Sequence, residues 1–278
     1  MPDYQYLLRL WSLPPVATLA VELVAVIYLR GWWRLRVARV PFVPTWRAVA
    51  FVSGLLTVWI ALASPIDAIN SLLLTAHMLQ HMLLVMVAPP LILLGAPLVP
   101  IVNGLPGVAR ELVGRIAKLP AVEHVGRGLT NPVAGLLLIG VVMFAWHTPT
   151  LYELAIRSDL LHEVEHVSFL LAALVFWWPV VLPWPSRAQW PRLAMVPYLL
   201  LADLQNTALS AILAFSDRVL YPSYAALPHP FGVSALDDQV AAGAFMWVAG
   251  SAAFIVPAIL IAVQCLSTRS RRDALSAA

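Results

Sequence analysis

Seven stretches of the chain run almost free of charge, at roughly 14 to 30, 47 to 63, 71 to 94, 132 to 147, 160 to 182, 194 to 215 and 239 to 265. Each is close to the ~20 residues that a helix needs to cross the hydrocarbon of a bilayer. The pattern predicts an all-α, polytopic membrane protein: one membrane domain over residues 1 to 278, a bundle of seven transmembrane helices. Pro89-Pro90 must kink the third helix, because neither ring nitrogen can donate a hydrogen bond. Residues 91 to 102 are too few for a span of their own, and a re-entrant piece is an alternative there. "GVARELVGRIAKL" (107 to 119) puts Val108, Leu112, Ile116 and Leu119 on one face and Arg110, Arg115 and Lys118 elsewhere. That is the pattern of a helix lying on the membrane surface. Residues 216 to 238 are rich in Pro and aromatics, too stiff and apolar for a plain linker, and suited to cap something. No repeat, low-complexity segment or domain boundary is visible.

Composition agrees with the pattern. Charged residues make up 11% of the chain and hydrophobic ones 61%, against ~25% charged in a soluble domain, and the mean hydropathy is +0.84. With the N-terminus outside and the C-terminus cytoplasmic, all of the 17 Lys and Arg except Arg9, Arg157 and Arg218 fall on the inner side, as short cytoplasmic loops require. The basic pI of 9.3 therefore reports membrane topology, and no nucleic-acid partner is expected. The first stretch is followed by Arg30, Arg34, Arg36 and Arg39 and lacks a small-residue cleavage site, so it reads as a retained helix. The lone Cys265 lies near the inner end of the last span, where neither a disulfide nor a Cys-x-x-Cys clasp is available. Soft-metal chemistry falls to His and Met.

On this topology the 7 histidines are unevenly placed. His77 and His81 lie in the outer half of span three, His147 at the outer end of span four, His162 and His166 in the first turns of span five, and His229 in the outer loop. Only His124 faces the cytoplasm. His77 and His81 are four residues apart and share a helix face, as do His162 and His166, so each pair is within reach of one ion. Met78, Met82 and Met86 form a second stripe turned about 100° from the His77/His81 face, and Met246 lies below Asp237, Asp238 and Gln239. Imidazole with thioether suits Cu(I); imidazole with carboxylate suits Zn(II) or Cu(II). Each single histidine also has an interfacial hydrogen-bonding reading, and methionines commonly fill packing gaps.

Asp203 sits near the middle of span six beside Gln205 and Asn206, and Glu22 is its counterpart in span one. An acid in lipid is costly unless paired or functional. The two can bond to each other, carry protons or serve a metal path.

His162-Glu163-Val164-Glu165-His166 also fits the H-E-x-x-H pattern of zinc proteases, which need a third ligand and Glu163 aimed at a bound water. That reading is disfavoured, since the pattern starts a span at the membrane surface and no second intramembrane signature faces it. The simpler account keeps the histidines as ligands and leaves Glu163 and Glu165 as supporting or interfacial groups. A b-type haem between two spans, for example on His81 and His166, is a further alternative. So is a metal-free scaffold for another membrane subunit.

"AHMLQHMLLVMVAPPLILLGAP", "AWHTPTLYE", "HEVEHVSFLLAALVFWWPV" and "DDQVAAGAFMW", in that order, resemble the successive motifs of the seven-helix CtaG-type family of cytochrome c oxidase assembly factors. The resemblance runs from about residue 45 to 265. It implies a bacterial plasma-membrane protein that serves maturation of haem-copper oxidases through copper delivery, with oxidase subunits or a copper chaperone as partners. The positions it touches are His77, Met78, His81, Pro89, Pro90, His147, His162, His166, Asp237 or Asp238, Gln239, Met246 and Trp247.

The resulting expectation is a copper site, Cu(I) before Zn(II), at the outer face. Its metal ligands come from His77, His81, His147, His162 and His166, with Met78 or Met246 as soft ligands. Glu163, Asp237, Gln239 and Asp203 give polar support. No catalytic residue is expected.

Overall fold

The computed structural model describes residues 10 to 226 and 232 to 276, so His229 and Arg9 lie outside the described residues. Among those described there is no strand. The chain runs through α1 (Pro15–Val37), α2 (Thr45–Ala63), a short α3 (Pro65–Asn70) and α4 (Leu74–Met82). A π-helical turn, Leu83–Val87, joins α4 to α5 (Ala88–Leu94), and α6 (Leu98–Gly104), α7 (Gly107–Ala117) and α8 (Pro120–Leu129) follow. Next come α9 (Pro132–Trp146), α10 (Pro149–Ile156), α11 (Asp159–Val181), α12 (Met195–Ala214), α13 (Pro222–Ala225) and the long α14 (Ala235–Ser276).

Six of these are long and apolar enough to cross a membrane: α1, α2, α4 with α5, α11, α12 with the turn before it, and α14. The fourth expected span is the short one. Asn131 caps Val133 N–H, Pro132 starts α9, and the helix ends at Trp146 after 15 residues, about 22 Å. It makes a seventh span only together with α8, from which it is bent by 67°. The chain is a polytopic helical membrane protein with six such helices, or seven if that bent pair counts as one.

The α4–α5 span is the central pillar, with 67% of its most apolar window buried against 11% for α1. On one side α1 and α2 pack on it through Tyr28, Phe51, Leu55, Leu84 and Ile92. On the other, α9, α11, α12 and α14 close around Phe169, Phe176, Trp177, Tyr198 and Phe254. The expected kink is absorbed by the π turn, just ahead of Pro89 and Pro90. Pro89 has no N–H for the carbonyl four residues back. That carbonyl, of Val85, instead accepts from Trp177 Nε1 at 2.9 Å, so a helix break in lipid leaves no bare carbonyl there.

Beyond Gly95, α6 turns back onto α1. The approach requires glycine on both sides: a Cβ at Gly31 would stand 1.7 Å from the Pro100 carbonyl oxygen, and one at Gly104 would stand 1.8 Å from that of Ile27. The amphipathic segment after it is two helices, α7 and α8, with no buried residue in either, and His124 is exposed on the second. Asp203 is half-buried and accepts from Ser251 Oγ at 2.7 Å. Glu22 is exposed on α1, so the expected alternative of a bond between the two acids does not form: α1 faces outward, and α12 pairs with α14.

Candidate metal centre

The site lies where α4 and α11 begin and α9 ends. Asp238, in the first turn of α14, fixes the start of α4 by accepting from the N–H groups of Leu74 and Thr75 and from Thr75 Oγ1. Leu73 ahead of α4 offers no side-chain cap of its own, so this carboxylate answers donors that the helix end leaves bare. One turn in, Gln80 bonds Asn70, Asp67 and the Ala61 carbonyl and locks the rotation of α4. Burial holds the Asp67 carboxyl above its usual range, with the Gln80 bond opposing the shift.

With α4 so held, His77 and His81 face α11, which presents His162, Glu165 and His166. Glu165 Oε1 is 3.6 Å from His81 Nε2 and 3.9 Å from His77 Nε2, and the three residues can offer ligand atoms all within 4.8 Å of one another. Tetrahedral bonds of 2.0–2.1 Å put donors about 3.4 Å apart, so closure onto an ion needs only small movement. The His162 ring lies 5.4 Å from that of His77, and the His166 ring 5.6 Å from that of His81, centroid to centroid. His147 stands 6.2 Å from His81. Its Nδ1 is 2.8 Å from the Met143 carbonyl oxygen, an acceptor that fixes the proton on Nδ1 and leaves Nε2 bare.

Eight buried donor or acceptor atoms here have no hydrogen-bond partner among the described residues: His77 Nε2, both ring nitrogens of His81, Nε2 of His147, His162 and His166, and both Glu165 oxygens. At ~1–3 kcal/mol for each unanswered group, the total is on the order of 10 kcal/mol, comparable with the net stability of a whole domain. Nitrogen and carboxylate oxygen converging without partners are the donor set of a transition-metal ion. Around His81 the same crowding disfavours a b-type haem. The His77 ring at 4.2 Å and the Phe169 ring at 4.5 Å from His81 occupy the space a macrocycle needs.

The loop between α12 and α14 closes over this cluster. Tyr152, 5.1 Å from His77, stacks on Tyr221 at 3.9 Å and pairs its hydroxyl with that of Tyr224. Tyr221 donates to the His147 carbonyl and Tyr224 to that of Asn70. Ser223 bonds Glu153 through both its N–H and its hydroxyl. Burial pushes the Glu153 carboxyl up, but these bonds and Arg157 outweigh it, and the net shift is downward.

Four residues expected to give polar support, Glu163, Asp237, Gln239 and Asp203, lie away from the rings. Glu163 is exposed, so it cannot serve a bound water, while Glu165 is 1% exposed and lies among the rings. The helical period explains the exchange: 162, 165, 166 and 169 follow i, i+3, i+4, i+7 on one face. Asp237 is exposed and bonds Ser234, and Gln239 ties the loop at Leu213, Arg218 and Leu220. Neither orients a ring: Asp237 bonds within its own turn, and the bonds of Gln239 go to the end of α12 and the loop after it. Asp203 bonds Ser251 on α14 and belongs to that helix contact rather than to the histidine cluster. Met78 and Met246 are buried beside the cluster, together in a packed group with Leu74 and Tyr152.

These features define a polytopic helical membrane protein with a buried histidine–carboxylate cluster beneath a tyrosine lid. The profile of the cytochrome c oxidase caa3 assembly factor family (Caa3_CtaG) matches residues 26–268, and the chain belongs to that family. Among curated proteins it is similar to an uncharacterised protein of Mycobacterium leprae, at 25% identity over 98% of this chain and 41% of the relative. It is also similar to an uncharacterised protein of Mycobacterium bovis, at 23% identity over 98% and 41%. The chain thus spans about two fifths of the length of these curated relatives. No solved structure matches it.

Proposed function

We propose that this protein binds copper at the histidine–glutamate cluster, on the outer side of a bacterial plasma membrane, and passes it to a haem-copper cytochrome c oxidase subunit during assembly. The observation that carries this reading is the convergence of His77, His81, His162, His166 and Glu165 with their donor atoms unanswered. Family membership supplies the oxidase, and the ion is cargo rather than a catalytic cofactor. The topology that goes with the reading has seven crossings, the N-terminus outside, and the short α9 crossing with the help of α8.

His77, His81 and Glu165 form the nearest set of donors, and His162 or His166 completes four. His147 stands one ring away, a place for an ion leaving the cluster. Loading and release both require the lid to open, which breaks the bonds of Tyr221, Ser223 and Tyr224 but no helix. The partner met through the open lid is then the oxidase subunit that receives the ion, or a copper chaperone. Glu165 favours a second reading, Zn(II), for which imidazole and carboxylate are equally suited.

The test is the metal content of the oxidase itself, purified from a host strain lacking this protein. Oxidase that keeps its haem but is short of copper, and regains copper with the intact protein and not with His77→Ala/His81→Ala, is the expected result. Oxidase with full copper in the deletion strain would reject delivery, and a lost subunit with full copper in what remains would favour a scaffold.

A further inference from the structure

Five of the 7 methionines in the chain meet at one place. Met78, Met82, Met86, Met143 and Met246 line a cavity of about 10 Å³ together with His81, His147 and Val85, room for about one water-sized sphere. They arrive from three separate helical elements: the α4–π span, α9 and α14. Met78, Met82 and Met86 recur every four residues, on a face of their span turned about 100° from that of His77 and His81.

Methionine is flexible enough to fill irregular gaps, so five of them surrounding a void is a departure from that role. A second observation points the same way. His147 is 7% exposed, lines the cavity, and holds Nε2 without a partner while its Nδ1 is engaged by the Met143 carbonyl. Thioethers with one imidazole form a soft donor set, which prefers Cu(I) and discriminates against Zn(II).

We propose that this cavity is a second metal site, selective for a soft monovalent ion such as Cu(I), with Met82, Met143 and Met246 thioethers and His147 Nε2 as its donors. His81 borders both this cavity and the histidine–glutamate cluster and has neither ring nitrogen engaged. It joins the two sites, so the ion has a short step inward from a mixed nitrogen–oxygen cluster to a sulfur-rich one with no change of oxidation state. This assignment rests on the copper reading of the cluster for its role, though not for its chemistry.

The experiment uses the full-length protein in detergent, loaded either with Cu(I) under anaerobic reductant or with Zn(II), beside the variant Met82→Leu/Met143→Leu, which keeps side-chain volume close to native. Cu(I) content of about two per chain should fall to about one in the variant while Zn(II) content stays the same. X-ray absorption of the Cu(I)-loaded native protein should show sulfur neighbours that the variant loses. Nitrogen and oxygen neighbours alone in the native protein would overturn the proposal, even if the variant failed to fold. So would equal Cu(I) content in a folded variant. Sulfur-bound Cu(I) at about one per chain, lost entirely in the variant, with no Zn(II) bound would instead sink the reading of the histidine–glutamate cluster and leave this site standing.

Discussion

Replacing Glu165 by Gln separates a metal site from a structural hydrogen-bond network, because the two roles predict opposite signs. The carboxylate is 1% exposed, with both oxygens lacking a hydrogen-bond partner. Without an ion its burial is a net cost, and the neutral amide of equal size relieves part of that cost. The metal-free variant should therefore be at least as stable as the native protein. With metal the order reverses. Losing a charged donor worth ~1.5–3 kcal/mol weakens affinity by about ten- to a hundredfold. At metal concentrations far above the native Kd, a hundredfold weaker affinity removes about 2.7 kcal/mol of ligand stabilisation. For a chain of this size that is a fall of about 5–10 °C in the metal-loaded Tm. Thermal unfolding in detergent, with chelator and with saturating copper, reads both halves. A metal-free Glu165→Gln protein that is less stable than native, with the same copper-dependent gain in Tm, would refute the reasoning.

Trp177→Phe should cost ~1–3 kcal/mol by leaving the Val85 carbonyl bare, and most of that loss should vanish in a Pro89→Ala background, where a backbone N–H is restored; a double-mutant cycle of unfolding measures it. Gly31→Ala should abolish the packing of α6 on α1, since its Cβ would overlap the Pro100 carbonyl, and yield of folded protein by size-exclusion chromatography is the readout. The Ser223–Glu153 latch depends on an ionised carboxylate whose pKa is lowered on folding, so its contribution is complete above the ordinary carboxylate range and is lost only as pH falls through the lowered value. Protection of residues 220 to 226 against hydrogen exchange, taken relative to the intrinsic rate at each pH, should hold from neutral to mildly acidic pH and fall only below the ordinary carboxylate range, and Ser223→Ala should be poorly protected throughout. In a Cys265→Ala background, Glu163→Cys should react with an impermeant thiol reagent from outside intact cells and His124→Cys only after lysis; the reverse would invert the proposed topology.

The sequence made the helices and the histidine pairs visible because both follow from spacing alone. Apolar runs bounded by Asn131-Pro132 or by the Arg cluster of α1 gave boundaries within a few residues, except that α1 continues to Val37, its last turns carrying Arg34 and Arg36, and α14 continues to Ser276, well past the expected end at 265. A kink was legible at Pro89-Pro90, but not its form, since the π turn and the Trp177 bond depend on a residue 92 positions away. Glu163 and Glu165 were left together as supporting or interfacial groups; the helical period on α11 turns Glu163 outward and sets Glu165 among the rings. Gln80 and the three tyrosines were missed, and the choice between Asp237 and Asp238 was left open, for another reason. Their partners lie on other helices, and nothing local in "DDQ" distinguishes the acid that caps α4 from the one that faces solvent.

The central claim is that imidazoles of separate helices and one carboxylate hold a single ion. Elemental analysis of the native protein and of His77→Ala/His81→Ala, both purified from copper-supplemented cells without chelator, tests it most directly. Copper at one or more per native chain, with the cluster's share gone from the variant, is the predicted result. Equal metal in the two proteins, or none in either, would contradict it.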